Sequence, residues 1–122
     1  MYVATGKDLF MAEPMYPQGT RELDQWRKEL APAQQEAWRA FSKAVFAEGA
    51  LSEKTKQLIA VAVAHVTQCP YCIKGHTKGA TKAGASPEEI MEAIWVAAEM
   101  RAGGATAHST IALTELHNHH HE

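Results

Sequence analysis

Helix punctuation at close intervals constrains this chain more than any other feature. Thr20, Ser52 and Ser86 each stand where a side-chain oxygen can cap a first helical turn. Pro32, Pro70 and Pro87 each suit the start of a helix, where the missing N–H is no loss. Between these starts the apolar residues recur at helical spacing, and no stretch shows strand alternation with hairpin turn chemistry. The sequence therefore predicts an all-α fold of about six helices.

The first helix is expected from Thr20 to near Ala31, with Leu23, Trp26 and Leu30 on one face. The second follows Pro32 through Glu48, with Trp38, Phe41, Val45 and Phe46 as its buried stripe and Gly49 as its stop. Ser52 opens a third from Glu53 to about Val66, and a fourth runs from near Pro70 to Gly84. Ser86-Pro87-Glu88-Glu89 is a capping box that opens a fifth. There, Ile90, Ala93, Ile94, Ala97 and Met100 make one apolar stripe, and Met91, Trp95 and Ala98 make a second. That is wider than a monomer surface normally carries and points to a subunit interface. Gly103-Gly104 is expected to break the chain before a last helix from about Ala105 to Leu116. Met1 to Gly19 shows no period and contains Pro14 and Pro17, so it reads as an extended arm. The organisation is thus an arm over 1–19, one helical domain over 20–116 and a His-rich tail over 117–122.

A formal charge of -2 leaves no basic field to hold phosphates, which argues against nucleic acid and anionic membrane as partners. The longest purely apolar run, Leu58 to Ala64, stops far short of a membrane span, and the amino end lacks the charged-then-apolar order of a secretory signal. A soluble, cytoplasmic protein is expected. In a reducing cytosol its two cysteines, Cys69 and Cys72, read as catalytic or metal-binding rather than as a staple.

A dithiol with this spacing suits redox work: one sulfur attacks as a thiolate, and the other reaches back to close an internal disulfide. Pro70 places Cys69 at the cap and Cys72 in the first turn, where unpaired backbone N–H groups favour a thiolate. Lowering a thiol pKa from about 8.5 to about 7 takes roughly 2 kcal/mol, whereas a helix end supplies about 0.3–1 kcal/mol. Another group is needed, and His76 lies on the same face, one turn beyond Cys72. Its imidazole can take the thiol proton or remain as a cationic neighbour.

Other readings stand beside this one. The cysteines can be small buried hydrophobes, or with His76 three ligands of a zinc site that His65 or the tail histidines would complete. His65, one turn before Cys69, is either a core or interface residue bonded to a backbone carbonyl or part of a proton relay. Gln57 and Glu53 default to a solvated face, and His108 to helix packing or an interface. No cofactor or resident metal is expected. Cys-Pro-Tyr-Cys alone looks like a glutaredoxin motif, but no cis-proline loop or closing hairpin follows it.

From Leu51 to Leu113 the chain resembles the alkylhydroperoxidase D-like and carboxymuconolactone decarboxylase superfamily. The resemblance rests on Leu51-Ser52-Glu53-Lys54, the apolar helix, Cys69-x-x-Cys72-x-x-x-His76 and Gly84-Ala85-Ser86-Pro87-Glu88-Glu89. It implies a helical bundle assembled as a trimer or hexamer, and a peroxidase that reduces hydroperoxides or other electrophiles and is reset by an external thiol. It also implies roles: Cys72 as the attacking thiol, Cys69 as its resolving partner and His76 in the proton relay. The relay glutamate usual twelve positions before the first cysteine is here Gln57, an amide that cannot carry a proton. Either His65 or Glu53 substitutes, or Gln57 only orients His76 and a water, or the peroxidase is weak. Ala64-His65-Val66-Thr67-Gln68 further resembles an arsenosugar-associated peroxidase-like subgroup, which implies an arsenical or thiol-adduct substrate. The rival functions are a carboxymuconolactone decarboxylase-like lyase and a non-enzymatic oligomer that holds a metal or arsenic on its dithiol.

Overall fold

The computed structural model describes residues 15–120. They form five helices: α1 (Arg21–Leu30), α2 (Pro32–Phe46), α3 (Glu53–Thr67), α4 (Pro70–Lys82) and α5 (Pro87–His120). No strand occurs among the described residues. Most of the expected arm, residues 1–14, and the last two residues of the expected tail lie outside them.

The chain divides into two compact units, one ending at Lys43 and one beginning at Ala44. In the first, Thr20 Oγ1 accepts from the Leu23 N–H at 3.2 Å and caps α1. Asp24 on α1 pairs with Arg39 on α2 at 2.9 Å, an exposed bond that contributes little on its own. Of the α2 stripe expected to be buried only Phe46 is partly covered, and the apolar face of α1 is open too. Trp26, Leu30, Trp38 and Phe41 are all exposed, because two helices side by side offer no further layer to cover an apolar face.

In the second unit α3 is the central element, packed against both α4 and α5, which touch each other more lightly. The core is made of small residues. Val61 and Ala80 are fully buried, Ala85 lies beside them, and Leu58, Ile90 and Ile94 pack around the group. Ala64 and Ala97 complete the seams. Short side chains let the helix axes approach closely, so each added methylene at these positions is felt.

Two helix starts are tied together. Ser86 and Glu89 cap α5 reciprocally, Ser86 N–H to Glu89 Oε1 at 3.0 Å and Glu89 N–H to Ser86 Oγ at 3.1 Å. The other Glu89 oxygen meets Lys54 Nζ of α3 at 2.8 Å. The Lys54 ammonium, and then the Ser86 N–H, hold the Glu89 carboxyl below the usual carboxylate range.

Helix ends explain one success and one failure of the sequence reading. Gly84, with φ of 96°, ends α4 as expected, and Ala85 N–H returns to Ala80 O at 2.9 Å. Gly103 and Gly104 do not end a helix: α5 runs through them for 34 residues, about 51 Å at 1.5 Å per residue. A glycine stops a helix by turning left-handed, and among the described glycines only Gly84 does so. The expected fifth and sixth helices are therefore one, and it extends into the His-rich tail.

Gln68 takes the left-handed role at the end of α3, with φ of 57°, and the Cys69 N–H returns to Ala64 O at 3.2 Å. A side chain is strained there by roughly 1–2 kcal/mol relative to glycine, partly offset by glycine's greater freedom when unfolded. Gln68→Gly is therefore expected to raise stability by about 0.5–1 kcal/mol in urea unfolding. An unchanged or lowered midpoint would show that the Gln68 side chain compensates for its own strain.

Candidate dithiol site

The left-handed turn at Gln68 swings the chain from α3 into α4 and leaves Cys69 as the cap residue, with extended dihedrals of −96° and 105°. Pro70 follows at the first helical position. The Cys69 Sγ accepts from the Cys72 N–H at 3.4 Å, so sulfur fills the place that a serine oxygen fills at Ser52. Both cysteines are free, half-buried thiols.

Their acidities diverge. The Cys72 thiol donates to Cys69, and this, together with the Cys72 N–H, holds the Cys69 pKa below its ordinary value. The same bond raises the pKa of Cys72, and partial burial adds to the effect.

Cys72 and His76 line one cavity of about 400 Å³, otherwise walled mainly by Val45, Phe46, Ile59, Ala60 and Val63. His76 is held on two sides. Its Nδ1 meets Gln57 Oε1 at 2.9 Å, and Phe46 stacks on the ring with centroids 5.0 Å apart and planes 24° from parallel. An amide oxygen only accepts, so with that oxygen facing the ring Nδ1 carries the hydrogen and Nε2 keeps its lone pair. Gly79 provides the room: a β-carbon there would lie 2.6 Å from Gln57 Oε1.

A second, more polar cavity of about 430 Å³ lies beyond this pair, bordered by Phe46, Glu53, Gln57, Gly79 and Lys82. Glu53 therefore sits on the Gln57 side of the imidazole. His65 is placed elsewhere: it is half-buried, its Nδ1 donates to Val61 O at 2.7 Å, and it does not line the cavity of Cys72 and His76. His108 borders a groove between α3 and α5, together with Val63, Val96, Met100 and Arg101. Among the described residues no group of three or more His, Cys, Asp or Glu side chains is arranged to hold a metal ion.

Two participants were not singled out by the sequence reading. Lys56 gives hydrogen bonds to Val45 O at 2.8 Å and Ala47 O at 2.6 Å, and Phe46, between those carbonyls, reaches His76. The sequence places Phe46 only in a packing stripe, and no motif marks a lysine that bonds carbonyls.

Fold and site together define an all-helical protein with a cysteine pair at a helix start and a histidine one turn on. The chain belongs to the carboxymuconolactone decarboxylase family, which it matches over residues 32–115. It is 58% identical over 106 residues to "Uncharacterized protein 4 in cox locus" of Paracoccus denitrificans, covering 87% of this chain and 95% of that one. A structure from Methanobacterium thermoautotrophicum superposes with a TM-score of 0.65 at 37% identity, over 69% of this chain and 94% of that one. A carboxymuconolactone decarboxylase family protein of Legionella pneumophila superposes with a TM-score of 0.60 at 38% identity, over 65% and 70%.

Proposed function

We propose that the protein is a thiol-dependent peroxidase or disulfide oxidoreductase that reduces hydroperoxides or related electrophiles through Cys69 and Cys72. The observation that carries this reading is that Cys72 shares one apolar cavity with His76, whose Nε2 is left free to accept a proton. In the proposed cycle His76 takes the Cys72 proton, and the thiolate attacks the distal oxygen of the hydroperoxide. The O–O bond breaks, the alkoxide takes the proton from His76 and leaves as the alcohol, and Cys72 becomes a sulfenic acid. Cys69 then attacks that sulfur, the proton from its thiol goes to the departing hydroxyl, which leaves as water, and a disulfide remains for an external thiol to reduce. The bonds from Cys72 hold the Cys69 thiol below its ordinary pKa, so it ionises more readily than Cys72, which suits it to this second step.

The same reading has the protein at work as a homo-oligomer, a trimer or hexamer. Exposed Trp95 and Met100, 67% and 63% accessible, support it, because a lone chain gains nothing by keeping such side chains in water.

The test is a single turnover: reduced, metal-free protein receives one equivalent of cumene hydroperoxide, with free thiols and intact mass followed in wild type, Cys69→Ser and Cys72→Ser. Loss of both thiols with a mass about 2 Da lower, and a trapped sulfenic acid in Cys69→Ser but not in Cys72→Ser, is the expected result. Thiols that persist, with turnover of γ-carboxymuconolactone by both variants, would instead support a lyase.

A further inference from the structure

We propose that Lys56 is a latch that holds Phe46 against His76, and so acts as a positioning residue for the dithiol site through the end of α2. The last carbonyls of a helix have no intrahelical donors and carry the negative end of its dipole. Lys56 answers this at one place, since its single Nζ donates to both Val45 O and Ala47 O, at 2.8 and 2.6 Å. These carbonyls flank Phe46, so the backbone that carries its ring cannot shift without breaking both bonds.

Phe46 borders both cavities, the apolar one with Cys72 and His76 and the polar one with Glu53 and Gln57. Its ring also covers one face of His76. Released, it would open the apolar cavity toward the polar one and free the imidazole on that face. Adjacent residues of α3 thus fix His76 by two routes, Gln57 at the ring nitrogen and Lys56 through the stacked ring.

The inference rests on the dithiol reading for its catalytic meaning, but its test uses no peroxide, so the two fail separately. In a Cys69→Ser background, Cys72 is alkylated with iodoacetamide and with the bulky N-(1-pyrenyl)maleimide, and the ratio of the two rates reports the opening. Lys56→Met keeps the stem and removes the donors, and is expected to shift that ratio toward the bulky reagent about fivefold. Phe46→Ala should do the same, the double variant no more than either alone, and Lys56→Arg, which can offer an N–H to each carbonyl, should return the wild-type ratio. Lys56→Gln, able to serve one carbonyl, should fall between and covers the case in which Lys56→Met does not fold. A ratio unmoved in Lys56→Met or Lys56→Gln while Phe46→Ala moves it, or effects that add in the double variant, would overturn the proposal.

Discussion

Replacing His76 with asparagine is expected to slow peroxide-driven disulfide formation by about 10²–10³-fold at neutral pH, the usual worth of a positioned general base. The reason lies in the unequal thiols. Cys72 faces the apolar cavity, yet its S–H bond to Cys69 and partial burial raise its pKa. Ionising it in place requires an acceptor, and Nε2 of His76 is free because Gln57 binds the other nitrogen. Asparagine can still reach Gln57 but cannot take a proton. The rate for His76→Asn, read as thiol loss by stopped flow, should therefore climb with pH as hydroxide removes the Cys72 proton directly, and narrow the gap to wild type. A variant within a few-fold of wild type at neutral pH would mean that Cys69, whose pKa is held below its ordinary value, is the attacking sulfur.

Gly79→Ala should separate stability from rate. Glycine inside a helix costs about 0.8–1 kcal/mol relative to alanine, so on propensity alone α4 gains that much. The added β-carbon, however, claims the space 2.6 Å from Gln57 Oε1, and the amide, as the end of a flexible side chain, gives way more easily than the helix. His76 then loses the partner that orients it, for an expected loss of about tenfold in the oxidation rate. The variant should melt higher and react more slowly. Gln57→Ala should match its rate without its gain in stability. If Gly79→Ala reacts as fast as wild type, the Gln57–His76 bond has no part in the chemistry.

The helix starts were legible because their signals are local: Thr20, Ser52 and the Ser86–Glu89 box each bond within one turn, and Pro70 sits beside its cap. So was the end at Gly84, where the spacing to the next capping box leaves no room for more helix. Gly103-Gly104 misled because a glycine pair signals permission to turn, and whether the chain uses it depends on the hydrogen bonds available beyond. Gln68 hid for the opposite reason: a left-handed residue with a side chain leaves no compositional mark. The Gln57–His76 bond was one of several alternatives that spacing left open, since which α3 residue faces His76 depends on how the helices cross. The Lys56 clamp lay beyond reach, because a lysine among acidic and polar residues reads as solvated until its carbonyl partners are located.

From Gly104 to His120 every residue of α5 is exposed, Ile111, Leu113 and Leu116 included. Detached from any scaffold, a stretch of that length is near the limit at which a peptide holds a helix in water, since nucleation is costly and each added turn returns little. The glycine pair at its root lowers the propagation further. The part of α5 beyond His108 is therefore expected to behave thermodynamically as a helix–coil segment attached to a folded body, its free energy of ordering open to change by whatever covers those three side chains.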